Sequence, residues 1–68
     1  MKALTKRLVV HLKRLREQRG LTQEQLATRA GVSHGYLARL ELGMHDPSLS
    51  TLARLAKALK VSVAELVK

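Results

Sequence analysis

The chain has 68 residues, no cysteine and a formal net charge of +8, from 13 Lys and Arg against 5 Asp and Glu. This length predicts one small domain over 1–68, and the lack of cysteine excludes disulfides and thiolate metal sites within it. The histidines, His11, His34 and His45, are far apart and lack a carboxylate at ligand spacing, so we expect no metal and no cofactor. Such an excess of positive charge is typical of chains that bind polyanions, above all nucleic acid.

The positive charge is concentrated at the start of the chain. Seven of the 13 basic residues lie within the first nineteen positions: Lys2, Lys6, Arg7, Lys13, Arg14, Arg16 and Arg19. Such a segment suits an anionic membrane surface as well as DNA, and Lys2, Lys6 and Arg7 form either an arm along DNA or a solvated helix face. No apolar run is long enough for a signal peptide or a membrane span, so we expect a cytoplasmic protein. The single aromatic residue, Tyr36, argues against the stacking platforms of single-strand binders.

Leucine spacing predicts the first helix. Leucines at positions 4, 8, 12 and 15 recur at helical intervals, with Lys and Arg between them. The pattern predicts a helix from about Leu4 to Arg19, ended by Gly20. Val9 and Val10 widen its apolar face, and we expect one of them to remain near the surface.

The stretch 22–43 predicts two short helices joined by a tight turn. Thr22 has the form of an N-cap, and Gln25 three residues later completes a capping box. The second helix then runs to the turn at Gly31. Ser33 is a good cap for a third helix over about 33–42, which Gly43 ends.

Two more helices follow a loop that contains Pro47. Ser48 is a cap for the fourth helix, whose expected buried stripe is Leu49, Leu52, Leu55, Ala56 and Leu59. Ser62 and Glu65 repeat the capping-box pattern and open a short last helix. No strand-like alternation occurs, so the sequence predicts an all-α fold.

The third helix has two unlike faces at about 100° per residue. Leu37 and Leu40 point inward, whereas the outward positions are His34, Gly35, Ala38 and Arg39. Small residues at 35 and 38 let such a helix sink into a groove. His34 and Arg39 then reach base edges, where Arg paired with guanine is the commonest specific contact.

These motifs together resemble the Cro and phage-repressor, or XRE-like, helix-turn-helix family over about 8–66. The residues that carry the resemblance are Leu12-x-x-Leu15-Arg16-x-x-Arg19-Gly20-Leu21-Thr22-Gln23-x-x-Leu26-Ala27, Ala30-Gly31-Val32-Ser33, Tyr36-Leu37, Leu40-Glu41-x-Gly43, Pro47-Ser48-Leu49 and Thr51-Leu52. The resemblance implies a compact five-helix lambda-repressor-like domain from a bacterium or phage. It also implies a sequence-specific regulator of transcription, expected to be a repressor, that binds double-stranded DNA as a homodimer.

The resemblance also implies roles for individual residues. Arg16 and Glu41 match a partly buried salt bridge, and Gln23 matches a phosphate contact at the start of the second helix. Independently of the resemblance, the position of Tyr36 between the two faces of the third helix makes it either partial core or a hydroxyl that reaches a phosphate. The residues that match base-reading positions are Ser33, His34, Gly35, Ala38 and Arg39.

Departures from the family pattern keep a second hypothesis open. Leu42 and Met44 stand where the family often has cations or Asn, and Lys60 stands where a glycine often follows the fourth helix. In the alternative, Leu42 and Met44, with Val63 and Val67, contact a protein partner. The chain is then an antitoxin-like or accessory module whose DNA binding is secondary. No paired acids or activated nucleophile are present, so we expect no enzyme.

Overall fold

The computed structural model describes residues 3–68, with side chains from position 6 onward. Five helices follow one another: α1 (Ala3–Gln18), α2 (Gln23–Ala30), α3 (His34–Glu41), α4 (Leu49–Leu59) and α5 (Val63–Val67). The predicted all-α, five-helix fold is confirmed, with bounds within about one residue of those expected. The predictions for Lys2 and for the side chain of Leu4 lie outside the described residues. No helix in the described part of the chain is long and apolar enough to cross a bilayer.

Side-chain caps begin four of the helices at the predicted residues. The Thr22 and Ser33 hydroxyls accept hydrogen bonds from the backbone N–H three residues later, and the capping box with Gln25 is complete. Ser48 and Ser62 cap α4 and α5 in the same way. Each cap satisfies an N–H that has no partner within its helix, typically for about 1 kcal/mol.

The turn between α2 and α3 depends on Gly31. Its φ of 72° is left-handed, and its N–H donates to the carbonyls of Ala27 and Thr28. The N–H of Val32 then donates to the same Ala27 carbonyl at 3.0 Å, which reverses the chain. A residue with a Cβ is strained in this conformation, so the glycine makes the sharp exit from α2 possible.

Leucines from all five helices form one core. α2 packs against α4 and α3, while α1 packs against α5 and α3. Burial of each leucine contributes roughly 1.5–3 kcal/mol, so α3 is anchored through its inner face. The most deeply buried side chains are Leu8, Leu12, Leu26, Leu37, Leu40, Leu55, Leu59 and Leu66.

The prediction that Leu49 is buried was wrong. Its side chain is 74% exposed, and the buried stripe of α4 begins at Leu52. Leu49 is the first residue of α4, and Cα–Cβ bonds tilt toward the N-terminus of a helix. Its side chain therefore projects beyond the end of the core. Of the two adjacent valines in α1, Val10 is the exposed one.

Lys60 ends α4 in a left-handed conformation. Its φ of 58° makes it the non-glycine residue with positive φ among those described, and its N–H donates to the carbonyls of Ala56 and Lys57. The guanidinium of Arg19 donates to the neighbouring Leu59 carbonyl and so ties the end of α4 to the end of α1. Lys60 is exposed, so its backbone strain has no compensating burial of the side chain.

The replacement Lys60→Gly should raise the free energy of unfolding by about 1 kcal/mol. Glycine removes the backbone strain of the left-handed conformation, roughly 1–2 kcal/mol. Part of this gain is lost because glycine also raises the conformational entropy of the unfolded chain. Urea unfolding of Lys60→Gly and Lys60→Ala measures the effect, because alanine removes the charge but keeps the Cβ. Equal stabilisation by both variants would show that the lysine charge, and not the backbone, is responsible.

Candidate nucleic-acid interface

The outer face of α3 is exposed to solvent, whereas its inner face is buried in the core. Leu37 and Leu40 are fully buried. On the outer side, His34, Gly35 and Arg39 are exposed and Ala38 is half-buried. Two residues border this outer face. Ser33 is exposed, with its hydroxyl accepting from the N–H of Tyr36 at 3.0 Å, and the Tyr36 side chain is half-buried.

A salt bridge fixes the end of α3 to α1. Arg16 Nε donates to Glu41 Oε2 at 2.8 Å, and Nη2 donates to Oε1 at 3.1 Å. The third guanidinium nitrogen, Nη1, donates to the Leu21 carbonyl at 2.8 Å. The Arg16 and Glu41 side chains are only 11% and 4% exposed. The hydrogen bond to Glu41 raises the pKa of Arg16 above its ordinary value.

Gln23, the first residue of α2, bridges both ends of α3. Its Nε2 donates to Glu41 Oε1 at 3.1 Å, and its Oε1 lies 3.4 Å from His34 Nε2. Because the amide nitrogen faces the carboxylate, its oxygen is the acceptor, and the His34 ring donates through Nε2. A phosphate oxygen only accepts hydrogen bonds, so a phosphate contact by Gln23 would use the second N–H of Nε2 and leave the bond to Glu41 in place.

Arg39 has a partner that the sequence did not predict. Arg39 Nε donates to His45 Nε2 at 3.1 Å. The His45 ring stacks on Tyr36, with ring centroids 5.2 Å apart and planes at 16°. Beyond Gly43, the N–H of Met44 donates back to the Arg39 carbonyl and turns the loop along α3. The sequence offers one signal for His45: its ring follows two residues after Gly43, the glycine that ends α3.

The Arg39 guanidinium lies over Gly35, in the space that a side chain at position 35 would fill. A Cβ placed on Gly35 would lie 3.3 Å from Arg39 Nη1, nearer than most real Cβ contacts. Arg39 thus turns back toward the N-terminus of α3, the direction that helical side chains favour. The Arg39 guanidinium therefore covers position 35, where glycine provides no side chain of its own.

The four residues predicted to contact a protein partner differ in exposure. Leu42 and Met44 are 70% and 63% exposed. Val63 and Val67 are half-buried and pack against the protein's own core. The exposed apolar side chains near the α3–α4 loop are therefore Leu42, Met44 and the misassigned Leu49.

Known proteins with a helix-turn-helix resemble the chain in sequence and structure. The family model HTH_3, Helix-turn-helix, matches residues 12–66. An uncharacterized HTH-type transcriptional regulator of Sinorhizobium fredii is 52% identical over 54 residues, which cover 79% of this chain and 70% of that protein. The immunity repressor protein of Bacillus phage phi105 is 46% identical over 82% of this chain, which spans only 39% of the repressor. The solved restriction-modification controller protein C.AhdI of Aeromonas hydrophila matches with a TM-score of 0.86 at 33% identity, over 94% of both chains.

Removal of either partner of the Arg16–Glu41 salt bridge should destabilise the fold strongly. Glu41→Met leaves a nearly buried guanidinium without its carboxylate and should lower the free energy of unfolding by about 3 kcal/mol. Arg16→Met should cost a similar amount. The double variant should lose clearly less than the sum, because two thioether side chains of similar size need no partner.

Urea unfolding of the two single variants and the double variant measures this coupling. Glu17→Gln, which removes an exposed carboxylate next to Arg16, is the matched control and should change stability by less than about 0.5 kcal/mol. Additive losses in the double variant would contradict the structural role assigned to the pair.

Proposed function

The chain belongs to the HTH_3 helix-turn-helix family of DNA-binding transcriptional regulators, and we propose that it represses transcription as a homodimer that reads the major groove with α3. The observation that carries the proposal is the outer face of α3. It is exposed, it has small residues at 35 and 38, and it carries two long polar side chains, His34 and Arg39. The major groove of B-DNA, about 12 Å wide, accepts one α-helix.

The exposed side chains of α3 match the chemistry of base edges. The Arg39 guanidinium is a two-pronged donor suited to O6 and N7 of guanine, and His34 can donate to N7 or to a phosphate. The methyl group of Ala38 suits the C5-methyl of thymine. Gly35 adds no side chain and allows close approach, while Ser33 contributes a hydroxyl at the start of α3.

Phosphate contacts position the helix without reading sequence. Gln23 is placed beside His34, and Tyr36 borders the same face with a hydroxyl that can donate to a phosphate oxygen. The first N–H groups of α2 and α3 have no partner within their helices and favour anions. Lys6 and Arg7, both exposed at the start of α1, add to the net charge of +8 that attracts the duplex.

The sparse outer face of α3 favours a homodimer. Two base contacts supply discrimination of about 1–3 kcal/mol each. Specific DNA-binding proteins typically discriminate by about 4–10 kcal/mol against other sequences. Two copies on half-sites about 34 Å apart would double the number of base contacts and reach this range.

A second candidate function is a protein-interaction module, antitoxin-like or accessory, with secondary autoregulatory DNA binding. The exposure of Leu42, Met44 and Leu49 favours it, because large apolar side chains near one loop suit contact with another chain. Co-purification of a partner that depends on these three side chains would support this function. Tight, salt-sensitive DNA binding by the chain alone would argue against it.

Arg39→Ala should relax specificity at one base pair of a site that the native protein selects from a random pool. Loss of a bidentate guanine contact removes about 1–3 kcal/mol of preference at that position and little elsewhere. Competition binding with all four bases at each position measures the change, with exposed Arg54→Ala on α4 as the control. Unchanged preference at every position would refute base reading by Arg39.

Gln23→Ala should weaken binding to selected and scrambled duplexes alike. Loss of one neutral phosphate contact lowers affinity by about 1 kcal/mol, or roughly fivefold. Base preference should not change, because Arg16 still holds Glu41 and the end of α3 through two hydrogen bonds. Because the amide is uncharged, the dependence of affinity on salt should stay the same. Titrations at several salt concentrations, with exposed Gln18→Ala as the control, measure both quantities. A loss confined to the selected sequence would contradict the phosphate role.

A further inference from the structure

His45 lies four residues beyond the end of α3, in the loop before α4. Two backbone hydrogen bonds fold this loop back: Gly43 N–H donates to the Leu40 carbonyl at 2.9 Å, and Met44 N–H donates to the Arg39 carbonyl at 3.0 Å. The fold-back places the half-buried His45 ring between the side chains of Tyr36 and Arg39. His45 therefore belongs to the outer face of α3 in space, although it is outside the helix in sequence.

Two contacts of different kinds hold the His45 ring and, through it, Arg39. Stacking on Tyr36 fixes the plane of the ring. Acceptance from Arg39 Nε at 3.1 Å uses the lone pair of Nε2, so the tautomer that makes this contact carries its proton on Nδ1. A guanidinium has freely rotating bonds behind it, and a fixed acceptor at Nε restricts them.

Gly35 limits the guanidinium from the other side. Arg39 Nη1 lies where a side chain at position 35 would crowd it, at 3.3 Å from an ideal Cβ. With Nε committed to His45 and Nη1 above Gly35, the free edge of the guanidinium is the one that carries Nη1 and Nη2. That edge offers two parallel N–H donors to one acceptor pair.

We propose that His45 is a positioning residue for DNA recognition: it holds the Arg39 guanidinium over Gly35 and so sets the strength of the preference for guanine at one base pair. The inference rests on the proposed function, since it concerns how Arg39 meets DNA. Orientation before binding lowers the entropy lost when the side chain engages a base. The role is specific to the acceptor atom of the ring and distinct from any packing role.

Two substitutions separate the acceptor from the ring. His45→Phe keeps an aromatic ring to stack on Tyr36 but has no acceptor. His45→Gln loses the ring but keeps an amide oxygen about as far from the backbone as Nε2. We expect His45→Phe to lower the preference for guanine at the base pair read by Arg39 by about three- to tenfold, and His45→Gln to retain most of it.

The measurement is competition binding to duplexes that differ only at the base pair whose preference Arg39→Ala removes. Each His45 variant is tested in the native background and with Arg39→Ala, and thermal unfolding confirms that every variant is folded at the assay temperature. With Arg39→Ala, we expect His45→Phe to have no further effect on base preference. Gly35→Ala, which displaces the guanidinium while raising helix propensity, should lower the same preference only when Arg39 is present.

The outcomes distinguish this inference from the proposed function. If Arg39→Ala changes no base preference, base reading by Arg39 fails, and positioning by His45 fails with it. If Arg39→Ala removes a preference that His45→Phe leaves intact, the positioning role alone is overturned. An equal effect of His45→Phe with and without Arg39 would also overturn it, because His45 would then contact DNA by itself.

Discussion

One nearly buried carboxylate determines where α3, the proposed recognition helix, lies. Glu41, at the end of α3, accepts hydrogen bonds from Arg16 at the end of α1 and from Gln23 at the start of α2. Leucine packing supplies most of the stability but tolerates small rotations of a helix, whereas a bidentate guanidinium–carboxylate pair fixes direction as well as distance. A carboxylate that is 4% exposed is costly without its donors, so the three residues together specify one arrangement of α1, α2 and α3.

The same principle extends from the helix to its side chains. Each of the two long polar residues of the outer face of α3 has a partner on another element: His34 on α2, through Gln23, and Arg39 on the following loop, through His45. Few long side chains lie on this outer face, but both are held by hydrogen bonds in the free protein. A recognition helix with few base contacts gains more from such support than one with many contacts. The entropy lost when each side chain is immobilised on binding is a larger fraction of its small total binding energy.

The sequence predicted the frame of this protein much better than the details of its site. Caps and helix-ending glycines are local signals, so Thr22, Ser33 and Gly31 located the helices to within a residue. Leu49 failed because periodicity alone ignores where a helix leaves the core. His45 was missed because its partnership depends on how the loop folds back, which spacing along the chain does not encode. Gly35 looked blank for the same reason, since its role is visible only with Arg39 in place.

Dimethyl sulfate protection on a selected duplex tests most directly whether α3 enters the major groove. The reagent methylates guanine N7, which lies in the major groove, and adenine N3, which lies in the minor groove. We expect protection of guanine N7 in two clusters about 10 base pairs apart, one for each copy of the protein, with adenine N3 still reactive between them. Protection of adenine N3 alone, or uniform protection along the whole duplex, would contradict major-groove entry by α3.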